Sequence, residues 1–243
     1  YHYAFGSSTA LSLSVIGLLL LALPFLMRGA LRFRLSNTYY RGLPFGFSGS
    51  VAGAYRAYTL PIATFLLPGV VLALAPQSAL AMAAFLPYLA WPLMHAIMKR
   101  YQQAHLLYGG ERSAVDLPLR RFWRPYLMSM LLCLVPVIVA IALFGAFTVA
   151  SDQPPAAPLA SGWRSWLSTL LFIVVPVTAF YLATGPYVQV RVANLAWSNT
   201  AFRSIRIESG LKARAFMKLQ VANTVLTLLT LGLYRPFAVV RVY

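Results

Sequence analysis

Pro186-Tyr-Val-Gln-Val-Arg-Val-Ala-Asn-Leu-Ala-Trp-Ser-Asn199 is the stretch that decides the fold, because its first and last residues recur elsewhere at the same thirteen-residue interval. Pro24 precedes Asn37 by this interval, and Pro92 precedes His105. A fixed interval between matching residues is the signature of an internal repeat. The sequence therefore predicts three copies of one structural unit, and we call Asn37, His105 and Asn199 the anchors.

The similarity extends beyond the interval itself. Nineteen residues after each anchor stands a basic residue: Arg56, Arg124 and Lys218. A fourth unit begins at Pro236, because Pro236-Phe-Ala-Val-Val-Arg-Val-Tyr243 repeats the start of the quoted stretch almost residue for residue. We place the units at about residues 10–75, 79–150 and 166–233, with a truncated fourth unit at 234–243, in a single membrane domain covering residues 1–243.

The composition predicts an all-α polytopic membrane protein. Hydrophobic residues make up 60% of the chain and charged residues only 10%, with a mean hydropathy of +0.72, whereas soluble domains carry about a quarter charged residues. Apolar windows of about 18 residues or more can cross a hydrocarbon core about 30 Å thick. Five such windows occur, at residues 10–27, 57–75, 79–98, 127–150 and 166–190. Paired transmembrane helices are thus expected, with short amphipathic or strand-like segments joining them.

The basic residues are concentrated in three of the segments between the predicted spans. Seventeen of the 20 lysines and arginines follow the first, third and fifth spans. This alternation favours a multi-pass protein of the bacterial inner membrane over a nucleic-acid-binding protein, despite the formal charge of +16. The positive-inside rule predicts that the three basic segments are cytoplasmic and that the N-terminus of this chain is outside.

Two of these segments also alternate polar and apolar residues with a period of two, which is typical of a half-buried strand. They are Arg41-Gly-Leu-Pro-Phe-Gly-Phe-Ser-Gly49 and Phe202-Arg-Ser-Ile-Arg-Ile-Glu-Ser209. The three basic segments are therefore expected to pair into a small cytoplasmic sheet. Each polar turn before them is expected to end a helix at its anchor, since asparagine tolerates the left-handed backbone conformation.

The last apolar run, at residues 219–234, allows two topologies. Pro236 lies only 37 residues after Asn199, whereas Pro92 lies 55 after Asn37, and the shortfall is about one membrane span. A re-entrant hairpin broken at Leu231-Gly-Leu233 would keep the fourth unit on the side of the others. A single crossing would place the C-terminus outside.

Few residues are suited to chemistry. The four carboxylates fall in predicted aqueous segments, and Cys133 and the three histidines form no ligand pattern. We therefore expect no catalytic residues, no cofactor and no metal. A site for anionic lipid or a partner is predicted at interfacial basic residues: Arg56, Arg120, Arg121, Arg124, Lys212, Arg214 and Lys218. A polar stripe that either lines a water path or packs against another helix is predicted at Gln220, Asn223, Thr224, Thr227 and Thr230.

Two phrases resemble the YjgN family, a bacterial inner-membrane family carrying a domain of unknown function. They are Asn223-Thr-Val-Leu-Thr-Leu-Leu-Thr-Leu-Gly-Leu-Tyr-Arg-Pro-Phe237 and Asn37-Thr-Tyr-Tyr-Arg-Gly-Leu-Pro-Phe-Gly-Phe47. The middle unit departs from the pattern, with His105-Leu106 in place of Asn-Thr. The resemblance implies a polytopic membrane protein without assigned catalysis, associated in some members with a membrane-bound zinc metallopeptidase.

These observations favour a non-enzymatic inner-membrane scaffold or accessory subunit. Its basic cytoplasmic face would bind membrane lipids or a protein partner, for which a membrane-bound metallopeptidase or another membrane complex is the candidate. The alternative is a transporter or channel for a lipid or small solute, because every predicted span contains proline and broken helices build many transport sites.

Overall fold

The computed structural model describes residues 9–75, 79–151, 175–203 and 205–242. The helices are α1 Thr9–Ser36, α2 Val51–Leu74, α3 Ala79–Ala83, α4 Trp91–Ala104, α5 Trp123–Ser151, α6 Val175–Ser198, α7 Ala213–Leu229 and α8 Arg235–Val242. The strands are β1 Tyr39–Tyr40, β2 Leu43–Phe47, β3 Leu106–Tyr108, β4 Glu111–Arg112, β5 Ala114–Val115 and β6 Thr200–Ala201. The described chain is therefore mainly helical, as its composition predicts.

Four helical stretches are long and apolar enough to cross a membrane among the described residues: Leu13–Ser36, Val51–Leu72, Leu80–Ala104 and Leu119–Val139. They overlap the first four predicted spans. The fifth predicted span, at 166–190, lies partly outside the described residues, and α6 contains its second half. The division of the helices into repeated pairs stays a prediction.

Proline does not interrupt α1 or α2. Both helices continue through their prolines, although each proline removes one backbone hydrogen bond. At two of these prolines, a tyrosine hydroxyl from another helical segment donates a hydrogen bond to the carbonyl oxygen three residues before the proline. Tyr55 donates to Leu21 O, beside Pro24, at 2.5 Å. Tyr88 donates to Phe65 O, beside Pro68, at 3.2 Å. Tertiary hydrogen bonds thus accompany the proline turns.

The predicted span at 79–98 overlaps the candidate span Leu80–Ala104, and the structure divides the helix within it. α3 ends at Ala83, a 3₁₀ turn runs from Leu86 to Ala90, and α4 begins at Trp91. Pro87 and Pro92 both lie in the first turn of their helical segments. Proline is tolerated there because a residue in the first turn of a helix does not donate a backbone hydrogen bond within that helix. The residue before each proline is pushed away from helical geometry.

Each anchor ends its helix with a side-chain hydrogen bond. In all three copies the anchor approaches the carbonyl oxygen four residues earlier. The pairs are Asn37 Nδ2 with Phe33 O at 2.7 Å, His105 Nδ1 with Tyr101 O at 2.8 Å, and Asn199 Nδ2 with Leu195 O at 2.7 Å. The expected left-handed backbone is absent, because no anchor has a positive φ. A side-chain donor therefore takes the place of the next helical N–H, and His105 performs this role with Nδ1 protonated.

The strands pair successive copies in the same register. We number positions from each anchor. In the first pair, Gly46 at position +9 lies opposite Leu107 at position +2. In the second pair, Ala114 at position +9 lies opposite Ala201 at position +2. Both pairs are antiparallel, and position +10 meets position +1 in each. The strand of the first copy thus pairs with that of the second copy in the same register in which the second copy pairs with the third.

The structure corrects one predicted strand. β2 lies within the predicted segment at 41–49. In contrast, the segment at 202–209 contributes only an isolated bridge between Arg206 and Ala201, and the third copy's strand is β6 just before it. Alternation at 202–209 still places Phe202, Ile205 and Ile207 against a common apolar cluster. The period-two pattern therefore indicates which side chains of this segment are buried. Whether its backbone forms a strand depends on whether a neighbouring strand is placed to hydrogen-bond with it.

The chain divides into two compact units. The first contains residues 1–123 and 195–209, and the second contains residues 124–194 and 210–243. All six strands lie in the first unit. Its core joins β2, α2 and α4 through buried residues: Phe47, Ala54, Ala57, Tyr58 and Tyr101. The three strand-bearing segments thus rest on the ends of helices from the same unit.

Candidate functional site

Three segments of the first unit form the candidate site, and we call them the connectors. They are residues 37–50, 105–118 and 199–209. β1 to β4 form one sheet from the first two connectors, and β5 with β6 ties the second to the third. A buried polar contact accompanies the pairing of β5 with β6, because the Thr200 hydroxyl lies 3.3 Å from Gln103 Oε1. Both side chains are nearly inaccessible to solvent.

The first unit presents a basic surface. Its exposed arginines are Arg32, Arg34, Arg41, Arg56, Arg100, Arg112, Arg120, Arg121, Arg203 and Arg206. Its carboxylates are only Glu111, Asp116 and Glu208. Arginine presents a planar fork of donors that matches carboxylate and phosphate oxygens. The surface is therefore suited to anionic groups.

The seven predicted basic site residues are all exposed, but the structure divides them between the units. Arg56, Arg120 and Arg121 belong to the first unit. The second unit contains the others: Arg124, Lys212, Arg214 and Lys218. Lys212 immediately precedes α7. The predicted basic residues therefore form two sets, one in each unit. Anion binding by either set stays a prediction.

A chain of polar side chains connects α2 and α4 within the first unit. Lys99 Nζ donates to Gln102 Oε1 at 3.1 Å, and Gln102 Nε2 donates to the Tyr58 hydroxyl at 2.9 Å. Nearby, the Tyr101 hydroxyl donates to Ser50 O at 2.9 Å, just before α2 begins. Polar groups inside a membrane-embedded unit require such partners. These contacts fix the helices that carry the connectors.

The predicted polar stripe lies on α7 and reaches Thr230, the residue after its end, and one of its residues forms a hydrogen bond to α8. Asn223 Nδ2 donates to Ala238 O on α8 at 3.3 Å, and only 4% of Asn223 is exposed. Thr227 and Thr230 donate to carbonyls of their own helix, each at 2.7 Å. The Asn223 contact is of the kind that the packing interpretation expects, whereas those of Thr227 and Thr230 stay within α7. The choice between packing and a water path stays a prediction. A water path along half-buried Gln220 and Thr224 stays a prediction.

The chain reverses after α7, at the residues where the re-entrant alternative places a break. Gly232 N donates to Thr227 O at 2.7 Å, and Leu231 N donates to Leu228 O at 3.1 Å. This pair of bonds is the Schellman motif that closes a helix C-terminus. Leu231 and Gly232 both have positive φ, at 50° and 95°. α8 then packs back against α7, so the hairpin geometry is present.

A cluster of aromatic rings lies between the connectors and was not singled out from the sequence. Tyr40, Tyr108 and Phe202 each stand at position +3 of their copy. The Tyr108 ring centroid is 6.4 Å from that of Tyr40 and 5.7 Å from that of Phe202. Phe45 packs against Tyr108 at 5.0 Å. An aromatic residue at the same position of every copy is the sequence signal that could have identified this cluster.

The aromatic cluster borders a cavity of about 310 Å³. Ile205, Ile207 and Arg206 from the third connector complete its walls. The volume lies at the lower end of the range for small-molecule pockets. Among the described residues, no group of three histidine, cysteine, aspartate or glutamate side chains could hold a metal ion. The expectations about catalysis and cofactors stay predictions.

Four helical stretches able to cross a membrane define a multi-span membrane protein. The chain belongs to the family of bacterial proteins of unknown function DUF898, which matches it over residues 1–243. YjgN is the established name of this family, so the resemblance drawn from the two sequence phrases is confirmed. Neither a curated protein nor a solved structure matches the chain.

Proposed function

We propose that this protein is a non-enzymatic scaffold or accessory subunit of the bacterial inner membrane, whose basic connector face binds an anionic group. The observation that carries the proposal is the joining of all three connectors by strand pairing in a unit with ten exposed arginines and only three carboxylates. Four of these arginines lie in the connectors themselves: Arg41, Arg112, Arg203 and Arg206. The anionic group is either a lipid phosphate or an acidic segment of a partner protein.

The paired connectors support this function because they hold arginines in fixed relative positions. A pre-ordered surface loses less conformational entropy on binding than a set of independent loops. Arginines next to a membrane surface gain about 1 kcal/mol each from anionic lipids. Several such residues on one surface therefore suffice for stable retention of a lipid or a partner.

Purification in mild detergent followed by native mass spectrometry tests the proposal. We expect a bound anionic phospholipid or a stoichiometric partner protein, with a membrane-bound metallopeptidase as one candidate. The Arg120→Glu/Arg121→Glu variant should lose most of the bound molecule, because both side chains are exposed in the first unit. A lipid-free, partner-free wild-type protein contradicts the proposal.

A matched double variant controls for the general effect of charge. Arg235 and Arg241 are also exposed but lie on α8 in the second unit. The Arg235→Glu/Arg241→Glu variant carries the same change in net charge and should retain the bound molecule. Equal loss in both double variants would show non-specific charge attraction instead of binding by the basic residues of the first unit.

One observation favours the alternative of a transporter. The third candidate span is divided between α3, a 3₁₀ turn and α4, and discontinuous helices supply polar backbone groups at many transport sites. Proteoliposomes with a fluorescent phosphatidylethanolamine distinguish the two functions. Dithionite bleaches only the outer leaflet if the protein is a scaffold, and both leaflets if it moves lipid across the bilayer.

A further inference from the structure

The cavity between the connectors has walls from equivalent positions of different copies. Tyr40, Tyr108 and Phe202 stand at position +3 of the three copies. Phe45 and Ile207 stand at position +8 of the first and third copies. The repeat thus brings apolar side chains from separate parts of the sequence around one space. An apolar or aromatic body fits these walls, because ring edges and faces pack well against another ring.

Arg206 is the single charged residue among those lining the cavity. Its backbone forms a bridge with Ala201, and within the described part of the chain no carboxylate is paired with its guanidinium. A second guanidinium, that of Arg41, lies 5.4 Å from the centroid of the Tyr40 ring at the same cavity. Aromatic faces alone would attract a cation, but two guanidinium groups repel one. The charge complement is therefore a single anion.

The cavity lies outside the candidate membrane spans. Its first two contributing segments fall between Ser36 and Val51 and between Ala104 and Leu119, which are the limits of those spans. The walls from these two segments therefore lie beyond the ends of the candidate spans and not along them. The volume of about 310 Å³ limits the ligand to a small molecule.

We propose that the connectors form a binding site for a small aromatic carboxylate, with its ring packed against the wall that Tyr40, Tyr108 and Phe202 form and its carboxylate on Arg206. This site shares Arg206 with the basic surface of the proposed function, but its aromatic walls are separate from the arginines of that surface. It assigns a function to the aromatic residues at position +3 of each copy, which have no role in the proposed binding by the basic surface.

Three probes of one size test the chemistry of the site. They are 2-naphthoate, neutral 2-naphthylmethanol and cationic 2-naphthylmethylammonium. The protein is placed in nanodiscs of zwitterionic phosphatidylcholine, and binding is titrated by saturation-transfer difference NMR with empty nanodiscs subtracted. We expect 2-naphthoate to bind on the order of tenfold more tightly than the other two probes. Equal signals from all three probes, or none above empty nanodiscs, would overturn the proposal.

Two pairs of variants locate the binding. Arg206→Gln should weaken 2-naphthoate binding on the order of tenfold, whereas Arg203→Gln removes an exposed arginine that does not line the cavity and should have no effect. Tyr40→Ala should also weaken binding. Tyr39→Ala is its control, since successive strand residues point to opposite faces and Tyr39 is 67% exposed.

We expect each variant to fold, so that its binding can be measured. Arg206, Arg203, Tyr39 and Tyr40 are all exposed, and of these four only Tyr40 has a ring contact with a buried core residue, Tyr108. The melting temperature of Tyr40→Ala is therefore measured beside its binding, and the arginine pair tests the site without loss of a ring contact. Arg206→Glu provides a second readout, because it should transfer the preference from 2-naphthoate to the cationic probe. An unchanged preference in Arg206→Glu would show that the cavity does not select by charge at this residue.

Discussion

At the scale of single residues, the anchors show how different side chains serve one purpose. Asn37 and His105 differ in size and chemistry, yet each places a nitrogen 2.7–2.8 Å from the carbonyl four residues earlier. A helix end leaves its last carbonyls without backbone partners. Any short side chain that donates a hydrogen bond in this geometry can satisfy one of them, which explains why the middle copy tolerates histidine.

Gly49 provides a test of packing beside the first connector. It is buried, and a β-carbon added there would lie 2.5 Å from both the Phe47 ring and the Tyr101 hydroxyl. Because these two side chains belong to the buried core, neither can move freely. We expect Gly49→Ala to lower the free energy of unfolding by about 1–3 kcal/mol, measured as a lower melting temperature in detergent.

The control for this substitution is Gly46→Ala. A β-carbon at Gly46 would lie 3.4 Å from its nearest neighbour, Leu107 Cβ, which is an ordinary contact. The second copy already carries Ala114 at the equivalent position of its strand pair. Gly46→Ala should therefore leave the melting temperature nearly unchanged, and similar losses in both variants would contradict the packing argument.

At the scale of elements, the hairpin of α7 and α8 departs most from an ordinary membrane span. The apolar part of α7 begins at Leu219 and the helix ends at Leu229, which gives a length of about 16 Å at 1.5 Å per residue. This is about half of a hydrocarbon core. The reversal at Leu231 and Gly232 therefore agrees with a segment that turns back before crossing.

A disulfide test distinguishes the hairpin from a single crossing. Asn223 and Ala238 are joined by a hydrogen bond, whereas in one straight helix residues fifteen apart would be separated by about 22 Å. We expect Asn223→Cys/Ala238→Cys, in a Cys133→Ser background, to form an intramolecular disulfide on oxidation with copper phenanthroline. The product is detected by its mobility on non-reducing gels after cleavage at an introduced protease site.

The matched control replaces Ala238 with a neighbour on the opposite face of α8. Val240 is 76% exposed, so Asn223→Cys/Val240→Cys should cross-link far less. Absence of a disulfide in the Asn223 and Ala238 pair would support the single crossing and contradict the hairpin.

At the scale of the whole molecule, the identical register of the two strand pairs links the repeat to its topology. Connectors that hydrogen-bond to one another must lie on the same side of any membrane that their helices cross. The charge distribution predicts that this side is the cytoplasm. The sequence rule and the strand pairing are independent arguments for a common side, and only the first names that side.

Cysteine labelling tests this orientation. Tyr39→Cys, Arg112→Cys and Arg203→Cys place one exposed thiol in each connector, again in a Cys133→Ser background. A membrane-impermeant maleimide should label all three in inside-out vesicles and none in right-side-out vesicles. Labelling of any single connector from the opposite side would contradict both the common side and the predicted orientation.

The sequence alone determined the mainly helical membrane class and four of the five predicted spans, because apolar length is a local property of the chain. The division into three copies and the binding role of the basic residues stay predictions. Only the tertiary structure showed the division of the third span, the position of β6 and the meeting of Tyr40, Tyr108 and Phe202 around a cavity. These features depend on contacts between segments that are far apart in sequence, such as the rings of Phe45 and Phe202, 157 residues apart. Periodicity reports which face of a segment is buried, whereas the partner on that face is chosen by packing and by the backbone hydrogen bonds that remain to be made.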